Sequence, residues 1–256
     1  MGVSIAHGSM LIPTHTDRDR LIVALDVPNR QAALQLVREL DGVVSFFKVG
    51  YQLFVAEGMQ LVRDLVGEGR KVFLDLKLDD VEETITLAVR EIVKWGVEFL
   101  TIHGNGATAR AAQMGRGESD IPRILQVTAL SSLDTQDLRD LGIVGKRDKR
   151  FKRLEDYVLW RASQSIDAGC EGLIASGTTI GLLREHLGPE PIIVAPGIRP
   201  VGTPTDDHKR TATPRSAIAA GADYLVVGRP IRNAPEPMAM ARSILDEMEQ
   251  GLGANV

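Results

Sequence analysis

The sequence predicts a single α/β domain, a (β/α)8 barrel of the TIM-barrel type. From residue 21 onward, short apolar and β-branched runs alternate with longer segments of helical period. Eight such strand–helix units fit into roughly 235 residues, the usual size of this barrel. Several strands are apolar at nearly every position, which suits burial on both faces of a parallel sheet. An open, doubly wound sheet shows the same alternation, and the number of units favours the closed barrel.

The predicted strands are rich in Val, Ile, Leu and Phe and are bounded by turn residues, at 21–27, 46–50, 71–78, 99–103, 123–130, 172–176, 191–196 and 224–228. Predicted helices occupy residues 31–40, 55–66, 81–95, 107–114, 157–168, 179–186, 214–220 and 237–250. Glycines that suit left-handed helix ends follow several of them, namely Gly42, Gly96, Gly169 and Gly221. Residues 131–142 interrupt this order as a loop with a short helix capped by Asp134.

Composition excludes several classes of function. The formal net charge of −4 argues against nucleic-acid binding. No apolar run reaches 18 residues, so we expect no membrane span.

Residues 1–20 are predicted to be an N-terminal extension, either native or in part a leader, before a catalytic domain at 21–256. They lack the layout of a signal peptide, which predicts a cytoplasmic protein. The basic run at 145–153 is interpreted as a solvated loop or helix start.

The sequence DLKLDD at residues 75–80 is the sharpest chemical feature. Residues two apart in a strand point to the same side, so Asp75 and Lys77 are predicted to face one way together. At the carboxyl end of a barrel strand, that side faces the mouth where active sites form. A plain ion pair explains the two charges poorly, because charged side chains are seldom buried without a partner or a function. For Asp80, a helix cap is an equally good interpretation.

Two further strands end in charged residues, Asp26 on the first and Lys48 on the second. Successive positions in the series Asp26, Lys48 and Asp75 are about one strand–helix unit apart, as a barrel requires. Charges of alternating sign from three neighbouring strands are therefore predicted to converge on one mouth.

An anion site is predicted from the last two strands. Gly228 and Arg229 close the eighth strand, and the sequence PGIRP at 196–200 closes the seventh. Loops at these positions commonly bind phosphate in such barrels, and arginine can grip phosphate with two hydrogen bonds. The irregular residues 199–213 that follow are long enough to form a lid.

These residues together resemble the orotidine 5′-phosphate decarboxylase family of the bacterial type, over residues 21–248. The hallmark Asp-x-Lys-x-x-Asp is present at 75–80. Five more family-like motifs follow the family's order, namely LDV at 25–27, FKVG at 47–50, VTALSS at 127–132, PGIRP at 196–200 and VGRP at 227–230. The resemblance implies decarboxylation of orotidine 5′-monophosphate to uridine 5′-monophosphate in de novo pyrimidine biosynthesis, without a cofactor or metal.

The resemblance also implies roles for individual residues. Lys77 is implied as the proton donor to C6 of the pyrimidine, within a network of alternating charge formed by Lys48, Asp75, Lys77 and Asp80. Asp80 and Thr84 are implied to reach into the partner's site of a homodimer. The remaining substrate contacts implied are Asp26 and Lys48 on the ribose, Ser131 on the pyrimidine, Arg229 on the phosphate, and Arg199, His208 and Gly228 beside them.

Two positions depart from the family pattern. Val81-Glu82-Glu83-Thr84 stands where the family usually has Ile-Pro-Asn-Thr, so Thr84 is kept beside two additional acids. His208 replaces the usual glutamine of the lid, where it could still donate a hydrogen bond but with a different reach.

Two alternative functions remain at this point. A 3-keto-gulonate-6-phosphate decarboxylase or a hexulose-phosphate synthase shares Asp-x-Lys-x-x-Asp but uses magnesium, and the FKVG and PGIRP motifs argue against both. A barrel that only binds nucleotide would not need the costly array of Lys48, Asp75, Lys77 and Asp80.

Overall fold

The computed structural model describes residues 17–145, 150–201 and 210–253, and within them eight parallel strands close into a barrel in chain order. The strands are β1 (Leu21–Ala24), β2 (Phe46–Gly50), β3 (Lys71–Leu78), β4 (Phe99–Ile102), β5 (Arg123–Val127), β6 (Gly172–Ile174), β7 (Ile192–Ala195) and β8 (Tyr224–Val227). Pairing of β1 with β8 closes the sheet. The predicted (β/α)8 barrel is confirmed.

Helices surround this barrel and connect successive strands. They are α1 (Arg30–Glu39), α2 (Tyr51–Gly67), α3 (Glu82–Val93), α4 (Gly106–Arg116), α5 (Thr135–Asp140), α6 (Leu154–Asp167), α7 (Thr179–Leu187), α8 (Pro214–Ala219), α9 (Arg229–Arg232) and α10 (Pro237–Leu252). Asp134 caps α5 as predicted, since its side chain accepts the N–H groups of Gln136 and Asp137. A 3-10 helix, Asp17–Arg20, and α9 were not predicted, because four residues are too few to show a period.

Several predicted strands extend one to three residues too far. The first was predicted to end at residue 27 but ends at Ala24, and the fifth was predicted to end at 130 but ends at Val127. Leu25, Val27 and Ala129 are nevertheless buried. An apolar pattern reports burial rather than strand pairing, so it continues into the loops that form the barrel mouth.

Helix α2 begins earlier than predicted, directly after β2. The predicted start was residue 55, whereas the helix starts at Tyr51 and is interrupted by Gly58, which has φ 65° and ψ −160°. Few non-glycine residues adopt such a backbone conformation. The kink shifts the helical period, so the apolar residues before Gly58 do not continue the pattern of the helix that follows it.

The apolar interior forms two clusters separated by the sheet. One lies between the strands and the helices and includes Leu74 and Leu76 of β3. The other fills the inside of the barrel with side chains of alternate strand positions, among them Phe46, Phe73 and Phe99. The inner cluster closes the bottom of the barrel, so the opening is at the carboxyl ends of the strands.

Some predictions concern residues that are described only in part. Residues 1–16 lie outside the described range, so the boundary at residue 20 stays a prediction; Arg20 already binds the carbonyls of Ala222 and Asp223. In the basic run, Arg153 is the N-cap residue of α6, while residues 146–149 are not described.

Among the described residues, no helix has the length and apolar character needed to cross a membrane.

Candidate active site

A cavity of about 610 Å³ opens at the carboxyl ends of the strands. Its volume is typical of small-molecule sites. The wall contains polar groups from four neighbouring strands or the turns after them: Asp26 after β1, Lys48 on β2, Asp75 and Lys77 on β3, and Arg229 after β8. Charged groups predicted from separate parts of the sequence therefore line one cavity.

Four of these side chains form a continuous chain of alternating charge. Lys48 Nζ lies 2.9 Å from Asp26 Oδ1 and 3.6 Å from Asp75 Oδ2. Lys77 Nζ lies 2.8 Å from Asp75 Oδ1. The Lys48 and Asp75 side chains are only 10% and 15% exposed, so their mutual attraction is screened less than that of a surface pair.

The backbone of β3 is distorted at the point where it presents the charges. Lys77 has φ 46°, a left-handed conformation rare for a residue with a side chain, and the pairing of β3 with β4 shifts between Leu74 and Leu78. Thr101 bridges the irregularity. Its hydroxyl accepts the N–H of Lys77 and donates to Asp75 Oδ1, both at 2.9 Å. Asp75 and Lys77 thus meet through a bulge rather than by regular strand alternation.

The environment holds the Asp75 carboxyl ionised. Burial raises the pKa of Asp75. The ammonium groups of Lys48 and Lys77, together with hydrogen bonds from Lys77 and Thr101, lower it by a larger amount. The pKa of Asp75 therefore lies below its usual value. A carboxylate at this position keeps two lysines within a few ångströms of each other.

Gly50 provides room for this chain of charges. A Cβ built on Gly50 would lie 2.7 Å from Lys48 Nζ and 3.3 Å from Asp26 Oδ1. Any side chain here would displace the ammonium group. The glycine of the FKVG sequence is therefore explained by the space that Lys48 needs, and not by a positive φ.

The other predicted site residues divide into three groups. Ser131, Arg199, Gly228 and Arg229 line the same cavity. Asp80 and Thr84 are exposed and lie outside this cavity wall; Asp80 Oδ1 accepts the N–H of Val81, the N-cap residue of α3, at 2.7 Å. His208 lies outside the described residues.

The ends of the predicted lid are held together. Arg199 N–H donates to the carbonyl of Ala212 at 2.9 Å, and a parallel bridge joins Ile198 to Ala212. Arg210 donates to the carbonyls of Ala129 and Leu130, in the turn after β5. Both ends of the segment are thus fixed at the rim of the cavity.

Three residues of the site were missed in the sequence. Tyr51 lines the cavity, its hydroxyl donates to the carbonyl of Leu76 at 2.5 Å, and Lys77 Nζ lies 5.7 Å from its ring centre. Thr101 follows Phe99 by two positions, as Asp75 follows Phe73, and this parallel could have revealed it. Arg232 lies one helical turn after Arg229 and also lines the cavity.

His103 directly follows β4. It is half-buried and does not belong to the cavity wall. Burial, and then the nearby Arg161, lowers its pKa. Among the described residues, no group of three or more His, Cys, Asp or Glu side chains is arranged to hold a metal ion.

Comparisons with known proteins agree with this geometry. A family model described as "Orotidine 5′-phosphate decarboxylase / HUMPS family" matches residues 19–244. Relatives named orotidine 5′-phosphate decarboxylase, from Rhodopseudomonas palustris and Bradyrhizobium diazoefficiens, are 46% and 44% identical, each over 93% of this chain and 97% of the relative. The crystal structure of the enzyme of that name from Lactobacillus acidophilus is 31% identical with a TM-score of 0.77, covering 90% of this chain and 99% of that one. The chain therefore belongs to the orotidine 5′-phosphate decarboxylase / HUMPS family.

Proposed function

We propose that this protein decarboxylates orotidine 5′-monophosphate to uridine 5′-monophosphate, a step of pyrimidine biosynthesis, without a cofactor. The observation that carries the proposal is the chain Asp26–Lys48–Asp75–Lys77, which lies in one cavity with Arg229. The names of the relatives that are 44–46% identical support the substrate.

Lys77 is the proton donor in this mechanism. Loss of carbon dioxide from C6 leaves a carbanion that no ring carbonyl is placed to delocalise, so the site must supply positive charge at that carbon. Two unit charges about 4 Å apart interact by roughly 4 kcal/mol at an effective dielectric constant near 20. The Lys77 ammonium stabilises the developing charge and then protonates C6.

Asp75 keeps the lysines in place. Its carboxylate accepts from Lys77 and lies between the two ammonium groups, with a lowered pKa that keeps it charged. This arrangement holds the side chains of Lys48 and Lys77 in fixed positions before the substrate binds. The reaction then needs little reorganisation of charge in the protein.

The remaining residues bind the parts of the substrate that do not react. Asp26 and Lys48 contact the ribose and Ser131 contacts the pyrimidine. Arg229 grips the phosphate, beside Arg199, Gly228 and, from the lid, His208. Binding energy gained at the phosphate offsets the ordering and desolvation of the reacting end.

A homodimer completes each site, with Asp80 and Thr84 reaching into the partner's cavity. Both are exposed and outside the cavity wall of their own chain. Large apolar side chains are exposed on α2, on α3 and in the turn before α3, among them Tyr51, Val55, Val81 and Leu87. An exposed apolar surface of this kind is typical of a protein interface.

The reaction is tested by mixing the protein with orotidine 5′-monophosphate and EDTA, following the loss of substrate absorbance and identifying the product by chromatography. We expect turnover that EDTA does not reduce. The absence of turnover contradicts the proposal. Activity that disappears with the chelator would favour the magnesium-dependent relatives instead.

The shared site is tested by mixing two inactive variants, Lys77→Ala and Asp80→Asn. A mixed dimer contains one site with both changes and one with neither. We therefore expect the mixture to recover activity when subunits exchange. If the mixture stays inactive although native mass spectrometry of differently tagged subunits shows mixed dimers, Asp80 acts within its own chain.

A further inference from the structure

Arg232 connects two parts of the cavity that are distant in sequence. It lies at the end of α9, three residues after Arg229, and it is one of the residues that line the cavity. Nη1 donates to the main-chain carbonyl of Asp26, and Nε donates to Asn233 Oδ1 at 3.3 Å. A short helix after β8 is thereby tied to the loop after β1.

Arg232 binds the main-chain carbonyl of Asp26, and Asp26 is the first residue in the chain of alternating charges. Asp26 lies two positions beyond the end of β1, where strand pairing no longer fixes the backbone. The N–H of Leu25 still donates to the carbonyl of Lys48 at 2.9 Å, whereas the Asp26 carbonyl points to Arg232. The Asp26 carboxylate in turn lies 2.9 Å from Lys48 Nζ. An arginine fork suits this task, because it donates several hydrogen bonds in a fixed plane.

The charge of the cavity wall is consistent with a functional arginine here. Five cationic side chains and two carboxylates line the cavity, a formal excess of three positive charges, and Arg232 supplies one of them. A phosphate monoester carries about −1.5 to −2 charges at neutral pH. The substrate carboxylate adds one more.

We propose that Arg232 is a positioning residue, which fixes the Asp26 main chain and through it the Lys48 ammonium relative to the helix that carries Arg229. This inference rests on the proposed function only for its kinetic test. The inference about the structure itself is that the contact between Asp26 and Lys48 depends on Arg232.

The kinetic test compares Arg232→Met, which removes the donors and the charge, with Arg232→Lys, which keeps a charge and a donor. With orotidine 5′-monophosphate, we expect Arg232→Met to lower kcat roughly 10- to 100-fold, the size expected for a hydrogen bond to a charged group. Arg232→Lys should recover part of the loss. The matched control is Arg242→Met on the exposed face of α10, which should keep the original kcat.

The outcomes separate positioning from direct phosphate binding. A residue that only grips phosphate would chiefly raise KM, as expected for Arg229→Ala. If Arg232→Met shows that pattern, or no change at all, the proposal is overturned. Circular dichroism establishes that each variant is folded.

A crystal structure of Arg232→Met tests the same inference without any activity. We expect the separation of Asp26 Oδ1 from Lys48 Nζ to increase from 2.9 Å to beyond hydrogen-bond distance. An unchanged separation overturns the proposal. If the original protein fails to decarboxylate the nucleotide, the proposed function is wrong, while this measurement still decides the role of Arg232.

Discussion

The lower and upper halves of the barrel interior come from the same strands yet have opposite chemistry. On three neighbouring strands, an aromatic residue in the lower half is followed two positions later by a polar one in the upper half: Phe46 by Lys48, Phe73 by Asp75 and Phe99 by Thr101. Two residues advance a strand by about 6.6 Å on the same face. One step of the pleat therefore separates the core from the reactive site.

The lower half is held by packing of rings. Phe99 lies 5.1 Å from Phe46 and 5.0 Å from Tyr224, ring centre to ring centre, and 6.0 Å from Phe73. Two of these three pairs, those of Phe99 with Phe73 and with Tyr224, are edge-to-face, a favourable arrangement that adds to the burial of apolar surface. This half contributes stability and closes the floor of the cavity.

The upper half contributes little to the stability of the fold, although it contains several ion pairs. Bringing two carboxylates and two ammonium groups out of water is costly, and their mutual attraction offsets that cost only in part. In the proposed mechanism the same feature promotes the reaction, because charges held in a partly dry cavity act more strongly on a substrate. The two halves should therefore respond to mutation in different measurements.

The largest expected effect is on catalysis, in Lys77→Ala. In the proposed mechanism, removing the ammonium deletes both the charge that stabilises the carbanion and the proton that follows it. We expect kcat to fall by at least about 10⁴-fold, the combined size of these two contributions. Steady-state kinetics measures kcat, and calorimetry with uridine 5′-monophosphate should show that product binding is largely kept. Comparable activity in the variant would remove Lys77 from the mechanism.

The next effect is on stability, in Phe99→Ala. Phe99 is fully buried and contacts three other rings, so its removal leaves a cavity in the floor of the barrel. We expect the free energy of unfolding to fall by about 3–5 kcal/mol. Denaturation in urea measures it, with Leu141→Ala, at a side chain that is 62% exposed, as the control. A loss below 1 kcal/mol would show that the floor does not depend on the rings.

The same contrast explains how far the sequence predicts the molecule. The lower half follows from apolar alternation, and this pattern was sufficient for all eight strands and for the barrel. The upper half was predicted where charge interrupts that alternation, at Asp26, Lys48, Asp75 and Lys77. Both signals are local in sequence, so they can be read without knowledge of contacts.

What the sequence did not reveal depends on contacts between distant segments. Thr101 holds Asp75 and Lys77 across 24 to 26 residues, and Arg232 reaches Asp26 across 206. The left-handed backbone of Lys77 is unpredictable for a similar reason, because Thr101 accepts the N–H that a regular strand would use. Arg232 carries no local signal that separates it from an ordinary surface residue, and the hydrogen bonds that Thr101 makes are not visible in the sequence around it.

Gly50→Ala sharpens the comparison, because it changes the upper half without touching the lower one. The added methyl group would displace Lys48 Nζ, which lies at the flexible end of its side chain. We expect kcat to fall roughly 10- to 100-fold, as for a small misplacement in a catalytic site, with little change in the melting temperature. Gly67→Ala is the matched control, since a Cβ there meets nothing within 4 Å. A large loss of stability without loss of kcat would assign Gly50 to the fold instead.

The smallest expected effect is the dependence of stability on acid. The pKa of Asp75 is lowered in the folded protein, so its contribution to stability is present above the ordinary pKa of an aspartate, about 3.9, and is lost as pH falls through the folded value. The inner cluster of the lower half consists of aliphatic and aromatic side chains, which do not titrate in acid. Below pH 4, the free energy of unfolding should therefore decline less steeply in Asp75→Asn than in the original protein, with Asp246→Asn on the exposed face of α10 as the control. Equal slopes for all three proteins would mean that the acid response arises outside the barrel, and that Asp75 holds its lysines without stabilising the fold.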